Sequence, residues 1–401
     1  MKHMIKEYLS RFNLDVRKTG DARFMDQKCT PDVVSIIADC VINFVGSDID
    51  KEFTVKDIWD SQYFIKNVKA IFNKPLATNP TTKSEYDKFI QQPLKMLAYA
   101  NILNISKIKN TNTFSIKNFE ILEYISIKDR NACKFLYEYF LKVLNDSNIL
   151  KYFEEFKAKY ENNKLENSDF SFLQDKYIKF IIGNTAITKT TEIKRIFPKI
   201  LNVYCSENNL PGSILGRLST YTFNYNDLMY NRKNWRDIAK DKNVSRQEAE
   251  IEYDNLISEN ENPYNEYLVQ KAKNIIKKLY LESEVKDQWA IGDATQVHHI
   301  FPQHKFPQIA HYLENLIKLT PTQHNTKAHP LNKTREICLD YQLICLLAKS
   351  YNIEKSLLKN EMYYRKDSFI HCINTGLSTE LKSDLNFKQI KTELVTIYND
   401  L

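Results

Sequence analysis

The chain has 401 residues, too many for one small core and enough for two or three domains. Its hydrophobic content of 43% excludes global disorder, and its formal net charge of +7 permits an anionic partner such as nucleic acid without requiring one. Cys29, Cys40, Cys133, Cys205, Cys338, Cys345 and Cys372 are scattered with no CxxC pair, which argues against a cysteine zinc knuckle or a thioredoxin-like centre.

In chain order, Thr30-Pro31 is an N-cap followed by a first-turn proline and predicts a helix over Asp32 to Phe44. Thr54 opens a short helix over Val55 to Trp59. A third helix is expected from Ser84 to Tyr99, with Phe89, Leu94, Leu97 and Ala98 facing inward. Two short alternating runs, 105–109 and 113–117, flank Asn110-Thr-Asn112 and read as a hairpin. Helices followed by a basic hairpin suggest a winged-helix-like domain over residues 1–120.

Residues 121–285 read as a mainly helical region. Gly183 to Thr190 imitates a phosphate-binding loop, but Thr188 replaces the glycine before the lysine, so a turn into a helix near Thr190 is expected instead. Between Arg217 and Arg246 the residues Arg217, Arg232, Lys233, Arg236, Lys240, Lys242 and Arg246 alternate with Tyr221, Tyr230 and Trp235. That composition suits phosphate neutralisation with base stacking, although a solvated charged face has the same makeup. Ser245 and Glu248 form a capping box. A further helix is expected over Tyr264 to Leu281, then a loop from Trp289 to Ala294. Beyond Arg335 the apolar positions Ile337, Leu339, Leu343, Ile344 and Leu347 predict a helical tail. The N-terminus lacks the apolar run of a signal peptide and no stretch approaches a membrane span, so a cytoplasmic protein without membrane contact is expected.

The chemistry concentrates further on. Six of the eight histidines fall between His298 and His329. Thr295 to Phe301 has strand character, which would point His298 and His299 to opposite sides. Asn315 to Leu319 reads as a second strand. Pro321-Thr322 leads into a helix that puts His324 and Lys327 on one face. Imidazoles so arranged can hold a metal on one side and address a water on the other. His304 and His311 lie in a polar loop and read as surface residues.

His299-Ile-Phe-Pro302, Asn315-Leu316 and His324-x-x-Lys327, at intervals of sixteen and nine residues, resemble the HNH (ββα-metal) endonuclease motif. The layout more loosely resembles HNH-type type II restriction endonucleases, through Asp26-Gln-Lys-Cys-Thr-Pro31 and Tyr230 to Arg236. The resemblance implies His299 as the general base, Asn315 as the brace of the intervening loop, and His298 and His324 as metal ligands. It also implies Lys327 as a phosphate contact. Many family members have Asp where this chain has His298. His329 is a third candidate ligand, although a regular helix rotates a position five residues on away from His324. A divalent ion is implied: Mg or Mn, with Zn or Ni suited to histidine ligands.

These expectations combine into a mainly α chain with small β elements (α+β). It comprises the winged-helix-like domain, the helical region, an HNH module over 286–335 and a helical extension over 336–401. The expected function is a site-specific endonuclease acting on double-stranded DNA, with a homodimer on a palindromic site. The alternatives are a less specific defence or toxin nuclease, or a winged-helix DNA-binding regulator with an inactive HNH remnant.

Overall fold

The computed structural model describes residues 2–72, 79, 82–230, 263–329 and 338–400. Arg232, Lys233, Arg236 and Arg246 lie outside the described residues, as do Trp235 and the Ser245–Glu248 capping box. The chain is mainly helical with small antiparallel sheets. No described helix is long and apolar enough to cross a membrane. Its contacts divide it into two compact units, Met1–Ala249 and Glu250–Leu401.

In the first unit, α1 (Lys2–Ser10) and α2 (Val16–Thr19) precede α3 (Pro31–Val45). Proline at the first turn, Asp32 beside the helix dipole and Gly46 at the C-cap bound α3, although Thr30 makes no side-chain capping bond. Nearly every α3 residue is buried, because α6 (Lys83–Tyr99), α7 (Phe119–Ile127) and α8 (Asp129–Asp146) pack around it. Between α3 and α6 lie β1 (Phe53–Thr54), α4 (Val55–Asp60) and α5 (Gln62–Phe72), and Thr54 and Asp57 close a reciprocal capping box at α4. The hairpin is β2 (Leu103–Ile108) and β3 (Thr111–Ile116), to which β1 adds in the order β1-β3-β2. Its turn is Lys109-Asn110, both with positive φ, rather than the expected Asn110-Thr-Asn112. A two-residue loop of that type follows strand twist, and asparagine tolerates the left-handed region.

Then come α9 (Leu150–Glu161), α10 (Asn167–Asn184) and α11 (Thr190–Asn208). Gly183 lies inside α10 and Lys189 is the N-cap of α11, so the lookalike phosphate loop is a helix end and a turn. The helical reading of 121–285 needs one correction. Residues Pro211–Ile214 (β4) and Arg217–Thr222 (β5) form a hairpin, which puts Arg217 on an exposed strand position. Leu215-Gly216, both with positive φ, make the turn, and glycine without a Cβ makes it cheap.

Among the described residues, the second unit begins with α12 (Pro263–Leu279) and holds one hairpin sheet, β6 (Gln296–His299) with β7 (Leu316–Leu319). Three helices follow: α13 (Leu339–Leu358), α14 (Lys366–Leu377) and α15 (Phe387–Asp400). One core joins all of these, including Ile276, Ile300, Phe301, Leu316, Ile317, Cys345, Ile353, Phe369 and Ile390. Residues on either side of position 335 therefore share a single interior.

The α13 helix buries a different face from the one its apolar residues suggest. Leu339 and Ile344 are exposed, while Tyr341, Gln342, Cys345, Lys349, Ser350 and Ile353 turn inward. Gln342 and Lys349 are tolerated there because partners wait for them. Gln342 donates to the Ile300 carbonyl at 2.6 Å, and Lys349 meets the Glu284 carboxylate at 2.7 Å.

Candidate metal centre

The β6 strand pairs with β7 in the register His298↔Ile317 and His299↔Leu316. Alternation along β6 sends its two histidines to opposite sides: His298 is buried, 5% exposed, and His299 is half-buried. After β7, Gln323 is wholly buried and opens the next turn. Its amide donates to the Val285 carbonyl at 3.0 Å and to the Asp287 carboxylate at 2.8 Å, and accepts from Ser283 Oγ at 2.6 Å.

Gln323–Ala328 is a π-helix rather than the α-helix the sequence suggests. The His329 N–H donates to the His324 carbonyl at 3.0 Å, five residues back. On an α-helix a +5 position turns about 140° away. The wider π-turn instead returns it over its start. The imidazoles of His298, His324 and His329 consequently face one another, with ring centroids 4.8–5.3 Å apart. One ring nitrogen of each lies within 4.8 Å of the others.

These three residues can hold a metal ion. The expectation that helix geometry rotates His329 away is corrected by the π-turn. The protonation of His298 and His324 suits ligation too. Burial, then the neighbouring imidazoles of His329, His324 and His299, holds His298 well below the usual histidine value. Burial also lowers His324, partly offset by its hydrogen bond with Asn325. Asn325 Oδ1 lies 2.8 Å from His324 Nδ1. An amide oxygen only accepts, so Nδ1 carries the hydrogen and Nε2 keeps its lone pair for a metal.

On the other side of β6, His299 Nε2 sits 3.1 Å from the Ala310 carbonyl. By the same logic Nε2 carries the hydrogen and Nδ1 is left able to accept a proton. Burial, reinforced by the Lys273 charge, pushes the His299 imidazole down to about 4 and keeps it neutral near pH 7.

Asn315 is wholly buried and ties the loop between the strands. Its Oδ1 accepts from the Phe301 N–H at 2.8 Å, and its Nδ2 donates to the Phe301 and Ile309 carbonyls at 3.0 and 3.2 Å. The Ile309 contact holds the chain one residue before Ala310, whose carbonyl orients His299. Lys327, half-buried in the π-turn, places its ammonium 4.2 Å from the centre of the Trp289 ring. His304 is exposed, as a loop residue should be.

Two contributors carry no sequence signal. Lys273 of α12 is half-buried, and its charge acts on His298, His299 and His324. Its own ammonium is lowered by burial and by the Lys277 charge. It is one lysine among Lys271, Lys273, Lys277 and Lys278 on that helix, so only packing against the sheet distinguishes it. Asn325 is the second, an asparagine whose role depends on a local turn. Compared with known proteins, the chain matches no family model, no curated protein and no solved structure.

Proposed function

We propose that this chain is a metal-dependent endonuclease of the HNH type, acting on double-stranded DNA. One observation carries the reading: three convergent histidines lie on one side of a two-stranded sheet, while a carbonyl-oriented histidine lies on the other, in a strand–loop–strand–helix unit. A three-imidazole set is unlike a closed structural zinc site, which usually draws on cysteines.

A divalent ion held by His298, His324 and His329 would neutralise charge on the scissile phosphate and on the departing 3′ oxygen. Three neutral nitrogen donors suit Zn, Ni or Mn better than Mg. His299 Nδ1 takes the proton of the attacking water as its oxygen bonds to phosphorus. The P–O3′ bond breaks and the departing O3′ takes a proton from solvent water, leaving 5′-phosphate and 3′-hydroxyl ends. Asn315 fixes the loop whose Ala310 carbonyl orients that base. Lys327 and Lys273 offer cations to the phosphate.

The helix–strand–helix–helix–helix–hairpin succession of α3, β1, α4, α5, α6, β2 and β3 supports a winged-helix-like DNA-binding part in the first unit. Specificity for one sequence, the restriction-enzyme role and a homodimer on a palindrome belong to the same proposal. Digestion of a plasmid with Mn, Mg, Zn or Ni, and with excess chelator, tests it. Discrete bands that vanish with chelator indicate a site-specific enzyme. A smear indicates a less specific nuclease, and intact plasmid under every metal overturns the reading.

A further inference from the structure

Trp289 is 36% exposed, on a loop tied down far more firmly than its surface position requires. Its N–H donates to the Asp287 carboxylate at 2.9 Å, and its carbonyl accepts from Thr320 Oγ1 at 3.1 Å. Asp287 is itself clamped by Gln323 Nε2 and by Tyr341 Oη, each at 2.8 Å. The loop is thereby fastened to the first residue of the π-turn that carries His324 and His329. Against the ring carried by this anchored backbone lies the Lys327 ammonium, 4.2 Å from its centre.

A lysine at a protein surface ordinarily samples many rotamers, and ordering it costs side-chain entropy when an anion arrives. An indole face attracts a cation through its quadrupole and repels an anion, so it holds the ammonium without competing for phosphate. We propose that Trp289 is a positioning residue, its ring holding the Lys327 ammonium of the histidine-bearing turn so that a nucleic-acid phosphate meets an ordered cation. The proposal rests on the nuclease reading for the identity of the anion. Lys327 touches the phosphate; Trp289 acts through Lys327.

The test is a double-mutant cycle in the full chain, read by binding of a labelled DNA duplex across a salt series without metal. Lys327→Met should weaken binding and reduce the slope of log K against log salt by about one. Trp289→Leu, which keeps apolar cover but has no π face, should reproduce part of that loss, about 2- to 10-fold. The double variant should be no weaker than Lys327→Met, and Trp289→Tyr should recover most of the affinity. With metal present, the same variants should lower cleavage while metal affinity, read by calorimetry, stays at the parent value. A Trp289→Leu protein with parent-like affinity and slope overturns the proposal. So does a further loss in the Lys327→Met background, since the ring would then act independently of Lys327. A parent protein that neither binds nor cuts DNA overturns the nuclease reading and this proposal with it, an outcome distinct from either.

Discussion

The backbone N–H of His329 donates to the carbonyl of His324 at 3.0 Å, and that single i→i+5 bond brings two imidazoles onto one side of a turn. If all three histidines bind one ion, His298→Ala, His324→Ala and His329→Ala should each lower Zn or Ni affinity by more than the roughly 10- to 100-fold typical of an outer hydrogen-bond partner. His304→Ala, on the exposed loop, serves as the control. Calorimetric titration decides it, and parent affinity in His329→Ala would remove that residue from the site.

On the proposed nuclease mechanism, substituting His299 separates chemistry from binding. His299→Ala should reduce cleavage by about 10²- to 10⁴-fold, the range for loss of general base catalysis, while metal and duplex affinity stay near parent values. A variant cutting within a few-fold of the parent would mean that another group deprotonates the water.

Phe301 is held from two directions. Asn315 bonds its N–H and its carbonyl, and Gly376 of α14 lies so close that an added Cβ would fall 2.2 Å from the ring. Asn315→Ala strands the Phe301 N–H and carbonyl, leaves the Ile309 carbonyl only its bond from the Tyr312 N–H, and should cost about 3 kcal/mol of stability. Gly376→Ala should displace the ring and destabilise by about 1–3 kcal/mol through overpacking. Both should lower cleavage through the loop that carries Ala310. Chemical denaturation and single-turnover assays measure the two effects, and unchanged stability in both would show that the loop tolerates its release.

Acid should destabilise the metal-free protein through its histidines. His298, His299 and His324 are all lowered in the fold, chiefly by burial, with the Lys273 charge acting on each. An unfolded chain takes up those protons near pH 6.5, so the unfolded state binds more protons below that value. Stability should therefore be full above about pH 6.5 and fall as the pH drops toward about 4, where His299 protonates within the fold. Thermal midpoints across that range test this, and His298→Gln should flatten the profile. A flat profile in the parent would contradict the burial argument.

The side chains of Lys349 and Glu284 are both 0% exposed and joined at 2.7 Å, with Tyr364 and Asn352 completing their hydrogen bonds. Lys349→Met should cost about 3–5 kcal/mol, because it abandons a buried carboxylate that also accepts the Lys318 N–H of β7. Adding Glu284→Gln should restore part of the loss. Equal stability of the single and double variants would show that the carboxylate was not the source of the penalty.

Local physics made several elements legible from the residues alone. Thr30-Pro31, the Thr54 cap and the Asn110 turn announce α3, α4 and the first hairpin, because capping and left-handed turns are decided within a few residues. The opposed placement of His298 and His299 follows from the two-residue period of a strand, and the brace Asn315 stands where the motif suggested. Other features depend on what lies across the fold. A π-turn replaces an α-turn after β7, where buried Gln323 is held by Ser283, Val285 and Asp287 from a distant segment. No periodicity in Gln323–Ala328 encodes those bonds, so the alignment of His329 with His324 had to wait for them. The inward face of α13 was equally hidden, since Lys349 is stable inside only because Glu284 meets it. Lys273 and Trp289 acquire meaning in the same way, through what α12 and the Asp287 loop are packed against.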